Sequence, residues 1–509
     1  MPKKTENEIV ALPYYERNGK ASYPLPNAKI EDDLIIACPK VAEKIIPIIF
    51  LPGVMGTNLK KKGSDEKVWN AEMPQAIDSL IWLGKDNQER KKLLDPITTE
   101  VDKRGKVLYT NLEANRFPSR ESRDWGSAVY YSYGEPLHVL QCMLNDDHIL
   151  LDNLLNDTIR MTTRQLLIGE DLGAEIGEEA LTNEEVKHSY DFLFPLHVFG
   201  YNWLRSNAES ASELSDYITS VFETYHGRLA IEKVILVTHS MGGLVARHYS
   251  ENLGGQNKIL GIVHGVMPDL GSPATYRRMK TGERGVVGSV IGYDAKSMMP
   301  VLAQSPGPLQ LAPGRAYKKG WLKIHSSEGV ISKPVSDPYE EIYLQEDAWW
   351  RLCEKELLLD NIEDEWTKYT KIITFTVCDF IEGIRGKYHP NTYAFYGASS
   401  KCPSDDHLIW EQRKVPRPVF GQDFDSPNLR QPDGIIFELT SSGSPGDGTV
   451  PVCSGRISFP GVRALLATKV DHEGAYSVGN PGVENGLSVA MKFTLRSIIK
   501  MVREVKICG

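Results

Sequence analysis

Apolar residues along the chain fall into short runs cut by glycine and proline, with longer mixed stretches between them. Ile45–Leu51 in IIPIIFLPGVMGTNL (45–59) predicts a buried strand that ends at Pro52-Gly53. VILVT (234–238), ILGIVHGVMP (259–268), TYAFYG (392–397), GIIFELTSSG (434–443) and RALLATKV (463–470) predict further strands, and FLFPLHVFGYNWL (192–204) is another apolar run. Near-continuous apolar character suits strands covered on both faces of a parallel sheet. Helical periodicity lies between the runs. Ser206 to Gly227 carries Leu214, Ile218, Val221 and Phe222 on one face, and a helix after Ser240 runs to about Leu253 before Gly254-Gly255. A last amphipathic helix covers about 483–504. Strands alternating with helices imply βαβ units.

Two regions break this rhythm. Residues 65–190 are charged and show helical periodicity in 135–161, and residues 275–370 hold a Gly-rich apolar piece followed by an acidic helical stretch. The expected fold class is α/β, a mostly parallel central sheet flanked by helices with two large cap or lid insertions. The order expected is an arm and first core strand (1–64), a first insertion (65–190), core with a sharp strand-to-helix corner (191–274), a second insertion (275–370), and core with two site loops (371–509).

Composition narrows the function. The 509 residues are 41% hydrophobic and 25% charged, ordinary globular values, and the net charge of −9 argues against a nucleic-acid partner. Seven scattered cysteines with no C-x-x-C pair argue against a disulfide framework or structural zinc. The first twenty residues hold no apolar core of a signal peptide, and no apolar run reaches the roughly 18 residues of a membrane-spanning helix. The expectation is synthesis in the cytoplasm and, if the protein leaves the cell, a route needing no cleaved signal. No cofactor is called for. GQDFDSPN (421–428) has spaced acids but lacks a full calcium-loop pattern, and reads as a turn-rich loop.

The chemistry concentrates at VTHSMGG. A serine on a sharp corner between strand and helix, with glycine two residues on, is the nucleophile-elbow arrangement G-x-S-x-G, with Thr238 in place of the first glycine. A serine needs a base, and the base needs an orienting acid. Asp447 in SGSPGDGTVP and His472 in TKVDHEGAY follow in the order serine, acid, histidine, each just after a predicted strand. Asp269, after the strand 259–268, is the competing acid; Asp447 is preferred because Gly446 and Gly448 expose it. The N–H of Met241 and that of Val54 or Met55 in LPGVMG are placed to hold an oxyanion.

Taken together, IIFLPGVMGTNL, FGYNWLRS, VTHSMGGLVARHY, GSPAT, GDGTVP and DHEGAY resemble the lecithin:cholesterol acyltransferase-like branch of the α/β-hydrolase fold. The elbow also resembles that of GPI inositol-deacylase-like lipases, among them bacterial phospholipase effectors of type VI secretion. The resemblance implies Ser240, Asp447 and His472 as the triad and Val54 and Met241 as oxyanion donors. It implies a phospholipase A working on membrane phospholipids through an acyl-enzyme. Its implied partners are a lipid substrate, transient contact with a membrane surface, an immunity protein and secretion machinery. A non-lipid serine esterase, thioesterase or amidase is the alternative. The apolar stretch Gly285–Pro313, with Val287, Ile291, Met298 and Met299, is expected to act as a lid over an acyl groove.

Overall fold

The computed structural model describes residues 8–10, 13–16, 20–23 and 35–37 of the arm, then 41–70, 82, 84–110, 113, 116–146, 161–227, 229–231, 233–413, 429–430, 432–458, 460–479 and 487–507. The acidic loop 421–428 and the second half of the periodic stretch 135–161 lie outside the described residues.

Six strands form the central sheet: β1 (Ile48–Leu51), β2 (Leu196–Val198), β3 (Val234–His239), β4 (Ile259–Gly265), β5 (Thr392–Gly397) and β6 (Ala464–Thr468). They stand in the order β2-β1-β3-β4-β5-β6 and every neighbouring pair is parallel. All of β1 to β5 is buried, as the unbroken apolar runs require. Prolines trim the first two strands. Pro47 separates Lys44–Ile45 from β1, and Pro195 separates Phe192–Leu193 from β2, so two short ladders replace one long one.

The helices that matter for the site are α1 (Tyr130–Asn145), α2 (Asn207–Tyr225), α3 (Gly242–Asn252), α4 (Ala274–Thr281), α5 (Gly285–Val290), α6 (Ala295–Leu302) and α7 (Val489–Val502). Helix α2 begins at Ser206, whose hydroxyl accepts from Ala208 N–H, and buries Leu214, Ile218 and Val221. Helix α3 ends before Gly254, which takes the left-handed conformation with φ 72°. Both pack on one face of the sheet through a shared apolar core, while α1 and α7 pack on the other.

One expected core strand belongs elsewhere. Phe437–Ser441, within the run 434–443, pairs antiparallel with Leu408–Gln412 in a second, five-stranded sheet. The hairpin Leu322–Ser326/Gly329–Lys333 and Leu429–Arg430 complete that sheet. The physical reason lies in the side chains. Phe437 and Leu439 are buried while Glu438 and Thr440 between them are half-exposed, the two-residue period of a strand with one dry face. Phe437 stacks on Trp349 at 4.6 Å between ring centroids, and Trp349 in turn meets Trp410 at 5.5 Å. That aromatic cluster, rather than the central sheet, is what the strand covers.

Candidate active site

Ser240 is the turn between β3 and α3, and its φ of 51° puts a non-glycine residue in the left-handed region. The corner is over-determined. Ser240 N–H donates to Gly265 O at 2.9 Å, and Gly243 N–H donates to Ser240 O at 2.9 Å. A Cβ on Gly242 would lie 2.6 Å from the carbonyl oxygens of Leu51 and Pro52, so only glycine fits there. Thr238, where the motif carries glycine, is accommodated because its hydroxyl points to His264 Nδ1 at 2.9 Å across the sheet.

The three residues expected to act together are brought together. His472 Nε2 is 2.9 Å from Ser240 Oγ, and His472 Nδ1 is 2.8 Å from Asp447 Oδ2. An imidazole that donates from Nδ1 to a carboxylate presents its Nε2 lone pair to the serine hydroxyl. Asp447 is 2% exposed, and its other oxygen accepts N–H groups from Thr449 at 2.9 Å and Val450 at 2.6 Å. The acid reaches this place from a loop beyond the second sheet, not from the end of a core strand. A Cβ on Gly397, the last residue of β5, would meet Asp447 Cβ at 2.5 Å, so that glycine admits the acid. Asp269 is engaged elsewhere: it accepts from Arg247 Nη1 at 2.6 Å and from the Tyr388 hydroxyl at 2.8 Å.

Val54 and Met55 both line the cavity in front of Ser240, and Met55 has φ 61°. Met241 caps α3, where the first N–H groups of a helix have no partner within it. The turn bond of the 53–56 loop runs from Gly56 N–H to Gly53 O at 3.0 Å and leaves the Val54 N–H out of that exchange.

Two residues of this site escaped sequence reasoning. His239 Nε2 donates to the His472 carbonyl at 2.8 Å, and its Nδ1 accepts from the Tyr133 hydroxyl at 2.6 Å. The same hydroxyl accepts Gly53 N–H at 3.1 Å. One phenol on α1 thereby ties together the loop with Val54, the strand leading to Ser240 and the loop carrying His472. Burial, then the nearby His472, push the His239 imidazole down to about 3, so it stays neutral. Burial pushes the Tyr133 phenol up. The one sequence signal was His239 itself, on an otherwise apolar strand.

Ser240 opens into a cavity of about 520 Å³. Val287, Ile291, Met298, Leu302 and Leu311 give it one apolar wall. Of the four expected lid residues, Met299 departs: it is fully buried away from the cavity, with the Glu354 N–H 3.0 Å from its sulfur. Adjacent residues of a helix face different ways, and Met298 takes the cavity side.

A family model for lecithin:cholesterol acyltransferase matches residues 196–380, which include Ser240 and end before Asp447 and His472. The crystal structure of the Tle4–Tli4 complex is similar at 27% identity and a TM-score of 0.76, over 92% of this chain and 100% of that one. None of the curated proteins matches. The fold, the serine at its corner and these likenesses define a class: the chain is a serine hydrolase of lipid esters built on the α/β-hydrolase fold. Within that class it resembles the lecithin:cholesterol acyltransferase group and, over nearly its whole length, Tle4.

Proposed function

We propose that the chain is a phospholipase A, an effector of type VI secretion that releases fatty acids from membrane phospholipids in a target cell. The observation that carries this reading is a hydrogen-bonded Ser240–His472–Asp447 set opening into one largely apolar cavity. Ser240 Oγ attacks the ester carbonyl as His472 Nε2 takes its proton. The N–H groups of Val54 and Met241 hold the oxyanion. The intermediate collapses, His472 protonates the departing lysophospholipid oxygen, and the acyl group stays on Ser240. Water, deprotonated by His472, then frees the fatty acid. Asp447 holds the imidazole in the required tautomer and stabilises its charged form.

An apolar wall of five side chains suits an acyl chain better than a small ester, thioester or amide, which disfavours the non-lipid alternative. No helix of the described residues is long and apolar enough to cross a membrane. The similar structure is a complex of Tle4 with Tli4, which supports a protein partner here too, in the role of an immunity protein.

Mass spectrometry of products from the full chain and defined phospholipids tests this. The expected result is free fatty acid and lysophospholipid, with labelling by a fluorophosphonate and loss of turnover by on the order of 10⁴-fold in Ser240→Ala. Near-normal turnover by folded Ser240→Ala would end the reading.

A further inference from the structure

The rim of the cavity carries more positive than negative charge in one specific place. Arg278 and Arg284 line it, as does Glu473 next to His472, and Arg277, Glu283 and Asp405 stand beside the two arginines. Arg277 Nε donates to Asp405 at 3.1 Å, and Arg278 Nε donates to Glu283 Oε2 at 2.7 Å. Glu283 also receives a longer contact from Arg277 at 3.5 Å and accepts the backbone N–H of Arg284 at 3.1 Å. Glu283 and Asp405 are therefore matched, and the Arg284 guanidinium is left over. It is exposed and has no side-chain hydrogen bond or ion pair among the described residues. Among the described residues Arg278 commits only its Nε, to Glu283, which leaves both Nη groups. The side chains of Arg278 and Arg284 both line the cavity that contains Ser240.

We propose that Arg284, with the free Nη groups of Arg278, binds the phosphodiester of the phospholipid headgroup at the rim. The inference rests on the phospholipase reading above and adds to it the groups that select phosphate. A guanidinium fork matches two phosphate oxygens, and Arg284 has no carboxylate bonded to its side chain among the described residues. Position supports it as well. Arg284 immediately precedes α5, whose Val287 belongs to the apolar wall, so one segment presents the headgroup contact and the acyl contact. Gly282 at φ 73° and Gly285 at φ 68° bracket Arg284 where the segment leaves α4. A Cβ on Gly282 would lie 2.2 Å from the Tyr293 backbone, so only glycine fits at that point.

The test compares phosphatidylethanolamine with diacylglycerol of the same acyl chains, in the same detergent micelles, for the full chain and for Arg284→Gln and Arg278→Gln. The quantity read is the ratio of kcat/KM on phospholipid to kcat/KM on diacylglycerol. Loss of a charge-assisted contact lowers this ratio about tenfold to a hundredfold in Arg284→Gln, less in Arg278→Gln, with most of the change in KM. Fluorophosphonate labelling of each variant establishes that its site is assembled. An unchanged ratio in both variants, with the unsubstituted chain still cleaving phospholipid, overturns this inference alone. A chain that cleaves diacylglycerol but no phospholipid overturns the phospholipase reading with it. Inorganic phosphate is the last arm. Inhibition by phosphate that Arg284→Gln abolishes, with the phospholipid ratio intact, would make this a free-anion site and overturn the headgroup assignment.

Discussion

The two walls of the cavity are built on opposite plans. The catalytic wall consists of loops at the ends of β1, β3 and β6 and the Asp447 loop beside β5, each pinned by several buried hydrogen bonds. The apolar wall consists mostly of α5 and α6, six and eight residues long, separated by Gly292 and entered through Gly285 at φ 68°, with Leu311 added from beyond α6. Ile291, Met298 and Leu302 in it are buried and Val287 is half-buried, yet α5 makes few long-range polar ties. The principal one is Arg90, whose guanidinium donates to the carbonyls of Ser289 and Val290. The contrast separates two requirements. Proton transfer needs atoms held at hydrogen-bond distance, and the network supplies that. Admission of a long acyl chain needs a wall that gives way, and short glycine-bracketed helices are drawn from the low-stability end of a fold.

Asp447→Asn and Asp269→Asn give the largest expected contrast inside the catalytic wall. Asp447→Asn is expected to lower kcat by on the order of 10³–10⁴ with a small change in melting temperature, because the imidazole loses its orienting charge. Asp269→Asn leaves Arg247, 1% exposed, without its carboxylate. Breaking such a buried pair costs about 3–5 kcal/mol, so here melting temperature falls while kcat per folded molecule holds. Kinetics and thermal unfolding of both variants decide the matter, and the reverse pattern would move the acid to Asp269.

Acid should weaken the fold through its buried histidines, His197 and His389 among them and two of them, His239 and His264, beside Ser240 or the strand that carries it. Burial pushes both His239 and His264 down to about 3, whereas an unfolded histidine titrates near 6.5. Between these values the unfolded chain binds protons that the native state excludes, so stability rises with pH. It is complete above about 6.5 and lost as pH falls toward 3, by up to about 1.4 kcal/mol per unit for each histidine. Residues 285–311 contain no histidine and contribute nothing to this slope. Urea midpoints at pH 7.5, 6.5 and 5.5 measure it; a flat profile across that window contradicts neutral buried imidazoles.

Those two histidines also mark where sequence reading stopped. The parallel strands were legible because both faces of each are covered, which leaves a continuous apolar signature. Ser240, Asp447 and His472 were legible because each sits in a glycine-marked corner in a fixed order. The strand in 434–443 was assigned to the central sheet because five residues with alternate burial look much like a short core strand until a partner is known. Tyr133 was invisible for a different reason. It is one of many tyrosines, and its meaning comes from partners 80 and 106 residues away in the chain. Met299 was placed one residue off the cavity face, since an apolar run in an eight-residue helix shows which segment is buried but not against what.

Tyr133→Phe sharpens the comparison at a smaller scale. It deletes only the hydroxyl that joins Gly53, His239 and, through His239, the His472 carbonyl. Each group left unsatisfied in the interior costs about 1–3 kcal/mol, and the loops can relax to recover part of it. The expected outcome is a fall in kcat of about tenfold, with KM for a short soluble ester nearly unchanged. A parallel change in KM and melting temperature with kcat preserved would mean that the phenol only supports the fold.

The apolar wall gives the smallest effect and the most direct test of its plan. Val287 and Ile291 line the cavity on α5 and at its end, and Arg90 holds the last turn by its carbonyls. Each such side chain gains about 1.5–3 kcal/mol on leaving water for lipid, so two of them suffice to tip a closed–open balance of a few kcal/mol. Activity on a phospholipid should therefore rise severalfold as the substrate passes its critical micelle concentration. Val287→Asp and Ile291→Asp should reduce that rise, because a carboxylate does not enter the lipid interface. Arg90→Gln should raise activity on monomeric substrate instead, since it frees the carbonyls of Ser289 and Val290 and lets α5 move without a membrane. Rates on one short-chain phospholipid, measured below and above its aggregation point for all four proteins, read both effects as a single ratio. A ratio near one in the unsubstituted chain would make α5 and α6 a fixed wall, as rigid in function as the one that carries Ser240.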